Sequence, residues 1–135
     1  MVVLSEEVLW YAGHFLEGRM CPCLGKECEL CRQGIAGQVR YVFAAAEVSS
    51  HRPGLMEVGR GVGEQLRDWV PRHEGLRGMV LSFSKHSHAK QSRTVVQYIE
   101  RDENPWYRQV EVPDIKQALR LTWKKAGFKV PPGME

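Results

Sequence analysis

His14-Phe-Leu-Glu-Gly-Arg-Met-Cys21-Pro-Cys23-Leu-Gly-Lys-Glu-Cys28-Glu-Leu-Cys31 holds all four cysteines of this 135-residue chain and one of its five histidines. Cys28 and Cys31, with two residues between them, can turn both thiolates toward one ion, and Pro22 and Gly25 favour the tight turns that bring a third ligand round. Five candidates compete for four tetrahedral positions. Cys23 is the expected third ligand, because Cys21 and Cys23 are one residue apart and cramped as joint ligands. The fourth is His14 or Cys21. His14 ends the apolar, aromatic run Leu9-Trp-Tyr-Ala-Gly-His-Phe15, which reads as a strand and would hold the imidazole rigidly, so His14 is favoured with Cys21 as the alternative. The expected ion is Zn2+.

Clustered cysteines can also be two disulfides of a small secreted scaffold. Met1 is followed closely by Glu6 and Glu7, no basic-then-apolar leader precedes the motif, and no apolar run approaches the roughly 18 residues of a membrane span. A chain of this length can bury a core without staples. An iron–sulfur cluster generally draws on more dispersed cysteines. A reducing, cytoplasmic compartment is therefore expected, with no membrane partner.

A catalytic zinc needs an open coordination position and usually a carboxylate base nearby. Pro22-Cys23 and Cys28-x-x-Cys31 superficially match the signature of nucleobase deaminases. The spacing departs from it, since Cys23 is followed by Cys28 and the residue two after His14 is Leu16 rather than Glu. A closed, structural zinc is expected, contributing on the order of 10 kcal/mol to holding its loop. No catalytic residue is assigned and the protein is not read as an enzyme.

Outward from the motif, length and the absence of a linker indicate one domain, residues 1–135, with a zinc loop at about 14–34. Gln38 to Val48 reads as a long strand with Val39, Tyr41 and Phe43 on one face and Arg40, Val42 and Ala44 on the other. Ser49 to Gly54 is a turn and Leu55–Val58 a short strand. Gly59-Arg-Gly-Val-Gly63 then leads into a helix carrying Val62, Leu66, Trp69 and Val70 on one stripe, ended by Pro71. Its three glycines lack nucleotide-binding spacing and read as a flexible turn. Arg77–Phe83 and Thr94–Glu100 form a strand pair around a polar hairpin loop, about 84–93. A Pro-Trp-Tyr turn, an extended Gln109–Val112 and a helix of about 114–126 follow, with Asp114 at its N-cap and Ile115, Ala118, Leu119, Leu121 and Thr122 on its apolar face. The predicted fold is mainly β with α: a small antiparallel barrel of oligonucleotide-binding (OB) type, with an inserted zinc loop, one helix between the third and fourth strands and a C-terminal helix.

The run from Trp10 to about Leu66 resembles the zinc-containing single-stranded DNA-binding proteins of phages, whose T-even members are helix-destabilising proteins. The residues that carry the resemblance are His14, Cys23, Cys28 and Cys31, the strand Val39–Ala46, the Pro53-Gly54 turn and the Gly-rich approach to the helix around Leu66. The resemblance implies zinc held by those four residues in a loop of an OB barrel, and single-stranded DNA, or RNA, as partner. The chain is about half the length expected of that family, and Lys129–Glu135 is not its long acidic tail, so self-association and recruitment of a nucleic-acid-processing partner are the parts of the resemblance least carried over.

Single-strand binding needs cations for phosphates and exposed rings for bases. Lys and Arg total 19 against 16 Asp and Glu, an excess too small to decide anything globally, but Ser84 to Arg93 is wholly basic. Lys85, His86, His88, Lys90 and Arg93 there, with Arg19, Lys26, Arg40 and Arg60, are the expected phosphate contacts. The basic hairpin and the zinc loop would form two walls of one groove, and Tyr11, Tyr41, Tyr98 and Trp106 are the expected ring contacts, whereas Phe43 and Phe83 are expected in the core. The expected function is sequence-nonspecific binding of single-stranded DNA in replication or recombination of a phage or mobile element. The alternatives are a zinc-stabilised protein-interaction module that docks a nucleic-acid-processing enzyme and, less favoured, a zinc hydrolase or deaminase using Glu17 or Glu27.

Overall fold

Alternation in the long central strand sets both faces of the sheet. The computed structural model describes residues 1–88, 91–101 and 105–135, and the side chains of 85–94, 99 and 105 lie outside that description. The strands are β1 (Val2–Val3), β2 (Leu9–Leu16), β3 (Arg19–Pro22), β4 (Gly37–Ala46), β5 (Pro53–Val58), β6 (Met79–His88) and β7 (Gln91–Arg101). The helices are α1 (Glu29–Arg32), α2 (Arg60–Arg72) and α3 (Ile115–Lys125), with 3-10 turns at Gly25–Glu27 and Pro105–Gln109.

Every ladder is antiparallel, and β4 is the axis. Tyr41 lies between Trp10 of β2 and Val58 of β5, and Ala45 between Val3 of β1 and Gly54 of β5. The sheet runs β3-β2-β4-β1-β6-β7 with β5 on the second edge of β4. Tyr41, Phe43 and Ala45 pack with Val58, Leu81 and Val96 beneath Val62 and Leu66 of α2. Val42, Ala44 and Ala46 face the other way, where Leu119 and Trp123 of α3 and Tyr107 of the second 3-10 turn cover them. The fold thus has three layers, and the two faces of β4 are divided as the sequence predicts. Phe43 is fully buried and Phe83 stacks near it, ring centroids 6.4 Å apart, as expected of core rings.

The mainly antiparallel β class with helices is as expected, but the sheet is not closed into a barrel: among the described residues no ladder joins β7 to β3 or β5. Closure needs strands long enough to carry a stagger around the barrel. Here the two halves meet through β1, two residues long, which touches β6 at the single pair Val2↔Val80.

Several features differ from the sequence reading. Gly59 is the N-cap of α2, so Gly61 and Gly63 belong to its first turn rather than to a flexible connection. A Cβ on Gly63 would stand 2.1 Å from Tyr41 Cγ, and the missing side chain is what lets the helix lie on β4. Pro71 sits inside the last turn of α2, where the lost N–H removes one bond from a helix already ending; His73 N–H closes it on Trp69 O at 3.0 Å. In α3, Asp114 caps the helix as expected, accepting from Gln117 N–H at 3.1 Å. Its apolar face is Ile115, Leu119 and Trp123 at four-residue steps, the first two as expected, while Leu121 is 60% exposed and Thr122 is exposed as well. Finally, β6 and β7 pair as far as His88↔Gln91, so the segment expected as a loop of about 84–93 is largely a two-stranded ribbon. Hydrophobic alternation marks only the stretch that packs on a core, and backbone pairing continues beyond it. The expected extended segment Gln109–Val112 likewise begins inside the 3-10 turn and is not a strand.

Candidate metal centre

The β2–β3 hairpin builds the site. Glu17 (φ 51°) and Gly18 (φ 79°) both take left-handed backbone, the conformation of a two-residue type I′ turn, and pair Leu16 with Arg19. Gly18 makes that turn inexpensive. The ladder continues past Pro22, since Cys23 N–H donates to Ala12 O at 2.9 Å, which anchors Cys23 beside the middle of β2. The 3-10 turn at Gly25–Glu27 then delivers Cys28 to the start of α1. Cys28 and Cys31 fall three residues apart on that single helical turn, and so share a side.

His14 Nε2 and the sulfurs of Cys23, Cys28 and Cys31 all lie within 4.8 Å of one another. Nε2 is 3.5 Å from Cys28 Sγ and 3.4 Å from Cys31 Sγ, and Cys23 Sγ is 3.6 Å from Cys31 Sγ. On the far side of the ring, Nδ1–H donates to Ala36 O at 3.2 Å, which orients the imidazole and leaves Nε2 with a free lone pair facing the thiols. His14 and Cys28 are buried, at 1% and 2% exposed, while Cys31 is on the surface. Cys21 stands opposite His14 in the hairpin register, yet its thiol points to Pro22 O at 3.8 Å and stays outside the group. Ala36, which no motif indicates, is a site residue through its carbonyl alone.

The environment divides the thiols. Burial opposes ionisation of Cys28, but the Leu24 and Cys31 backbone N–H groups and the Cys23 and Cys31 thiols donate to its sulfur and outweigh burial, drawing it down to about 6. Cys31 is pushed up to about 11, chiefly by its hydrogen bond with Cys23, with burial and Cys28 adding to it. Burial also raises Cys21, with the charges of Cys28 and Cys23 next. The cluster therefore has one ready thiolate, Cys28, and an imidazole lone pair. These four donors can surround a metal ion on all sides.

The expected nucleic-acid contacts are dispersed. Tyr41 is 4% exposed beneath Gly63, and Tyr11 is 5% exposed against Trp123, so neither ring can stack a base; α2 and α3 cover the two faces that alternation alone left open. The Tyr11 hydroxyl donates to Glu57, and burial first, then Glu57, raises it far above its ordinary value. Arg40, half-buried, pairs with Glu57 at 3.3 Å, and exposed Arg60 with Glu64 at 2.8 Å. Trp106 lies flat on His51, centroids 3.7 Å apart. Tyr98 is 37% exposed. Arg19 and Lys26 are exposed, but Arg19, Lys26 and Arg32 are matched by Glu17, Glu27 and Glu29, so the metal loop is not the cationic wall expected of it. Lys90 lies outside the described residues, as do the side chains of Lys85, His86, His88 and Arg93. Trp10, which the sequence offers as the alternative to Tyr11 on β2, is 55% exposed on the face shared with Tyr41. Compared with protein-family models, with curated proteins and with solved structures, the chain matches none.

Proposed function

We propose that this protein binds single-stranded DNA with little sequence preference, on a scaffold held by one structural zinc ion. The donor geometry supports zinc. A tetrahedral ion with Zn–S bonds of about 2.3 Å and a Zn–N bond of about 2.0–2.1 Å has S···S edges near 3.8 Å and S···N edges near 3.5 Å. Three of the six edges here, 3.6 Å between Cys23 and Cys31 and 3.5 and 3.4 Å from His14 to Cys28 and Cys31, are close to those values, and the other three lie within 4.8 Å. Three thiolates and one imidazole select a borderline-soft ion over magnesium or calcium. Bound this way, zinc has no position left for a reacting water, and its work is to fix the hairpin.

The observation that carries nucleic-acid binding is the β6–β7 ribbon. Its ladder runs from Ser82↔Gln97 to His88↔Gln91, past Val80, the residue at which β6 pairs with β1. The sequence of that arm, Ser84 to Arg93, carries Lys85, Lys90, Arg93 and two histidines without an acid. A two-stranded ribbon whose sequence is rich in cations attracts phosphates and reads no base edge, which favours affinity without sequence preference.

Titration of a labelled thymidine homopolymer at increasing salt tests the reading. Affinity should fall steeply with salt, and replacing Lys85, Lys90 and Arg93 together by Ala should reduce the log–log slope by about 2, at roughly 0.7 per phosphate contact on a single strand. Salt-independent binding, or equal affinity for duplex and single strand, would overturn it. Tighter binding to a uridine homopolymer would reassign the partner to RNA.

A further inference from the structure

Three rings gather where α2 meets the edge strand β7. Trp69 and His73, one helical turn apart, stand 6.4 Å from each other, and Tyr98 is 6.3 Å from Trp69 and 5.2 Å from His73. A β-bulge puts Tyr98 there. The register of β6 and β7 slips between Val80, which faces Glu100, and Leu81, which faces Tyr98, so Ile99 is the extra residue on β7. Without the slip Ile99 would oppose Leu81. With it, Tyr98 joins the row of Leu81 and Val96 on the face under α2. That row is core at Val96, 2% exposed, and opens to solvent at Tyr98, 37% exposed. Trp69 is packed from below by the core, so the cluster has a rigid floor and an open edge.

We propose that Tyr98, backed by Trp69 and His73, is a base-stacking platform for single-stranded nucleic acid at the foot of the basic ribbon. The inference rests on the nucleic-acid reading above and adds a base-binding site to it. Charge and continuity argue for this occupant. Lys85 pairs with Thr94, four residues or about 14 Å from Tyr98 along β7 and in the register row of Phe83↔Val96 and Leu81↔Tyr98, so a chain following that row of the basic ribbon arrives at the rings. Rings with any base are attracted through their faces, which adds affinity without sequence preference. Trp10 and Phe15 are more exposed but lie on β2, which β4 and β1 separate from the ribbon, while Tyr11 and Tyr41 are buried and Trp106 is stacked on His51.

The experiment compares Tyr98→Ala, Tyr98→Phe and the parent chain for binding to a thymidine homopolymer and to an abasic homopolymer of equal length. Tyr98→Ala should bind thymidine about five- to a hundredfold more weakly, bind the abasic strand as the parent does, and keep the parent's salt slope; Tyr98→Phe should match the parent. Thermal unfolding checks that the partly exposed Tyr98 can be truncated without losing the fold. Trp69→Phe, which keeps the packing, should remove part of the fluorescence quenching that the oligonucleotide causes. The platform is overturned if Tyr98→Ala binds thymidine like the parent, or loses affinity equally for the abasic strand, while the salt-dependent nucleic-acid reading stands. If the parent binds neither strand, both fall.

Discussion

His14 is held from both sides: Ala36 O takes the proton on Nδ1 at 3.2 Å, and Nε2 faces Cys28 and Cys31. The ring therefore needs no rearrangement to receive a metal, whereas the thiols need to lose protons. Metal-free Cys31 stays protonated up to about 11, so zinc must displace that proton throughout the neutral range. Protons compete with the ion, and affinity should rise by about tenfold per pH unit for this proton alone. Below about 6 Cys28 is protonated too, and the dependence should steepen. Competition with a chromophoric chelator across that pH measures it; a flat profile would show that these thiols are not the ligands. Cys21→Ser should leave both affinity and profile unchanged, and Cys28→Ser should abolish stoichiometric binding. Cys28 and Cys31 are legible in the sequence because their spacing is local. The choice of Cys23 over Cys21 depends on the hairpin register set by Glu17 and Gly18, and of His14 on the strand that Leu9–Phe15 announces. Tyr11 and Tyr41 are buried where the sequence leads one to expect open rings, because alternation gives the face a ring is on and says nothing of what covers that face.

Elements meet where side chains permit, and α2 meets β4 at Gly63. Its Cβ position is 2.1 Å from two Tyr41 ring atoms and 2.6 Å from Tyr41 Cβ, in a row that is otherwise core. Gly61, two residues earlier in the same turn, has nothing within 4 Å of that position. The two glycines should respond oppositely to the same change. Gly63→Ala forces helix and strand apart and should cost about 1–3 kcal/mol, whereas Gly61→Ala should stabilise by about 0.5–1 kcal/mol through lost chain entropy. Urea unfolding monitored by helicity measures both. Equal effects would mean that α2 does not rest on Tyr41. The stripe Val62, Leu66, Trp69 and Val70 made α2 readable from sequence, but its glycines read as a turn because a close approach between elements leaves no local signal. The ribbon is not legible for a related reason: from Ser84 onward the residues lose apolar alternation although the ladder persists.

Across the whole molecule the metal centre and the core are separate structures. The three buried clusters draw on β1, β2, β4 to β7, α2, α3 and the loops beside them, and none includes a residue between Glu17 and Ala36. The class was legible because β4 and α2 carry strong periods; the open sheet was not, since β1, two residues long, gives no pattern and yet joins its halves. A segment outside those clusters depends on its ion for order, so chelation should open it as one local unit. Hydrogen exchange before and after chelator treatment tests this. Amides from Phe15 to Ala36, including Cys23 N–H bonded to Ala12 O, should lose protection, while those of β4, whose N–H and C=O groups pair with β1 and β5, should keep theirs. Zinc added back should restore the first set alone. Loss of protection throughout the chain would instead make the metal part of one cooperative fold, and unchanged protection in the hairpin would show that its ladder, rather than the ion, holds the segment.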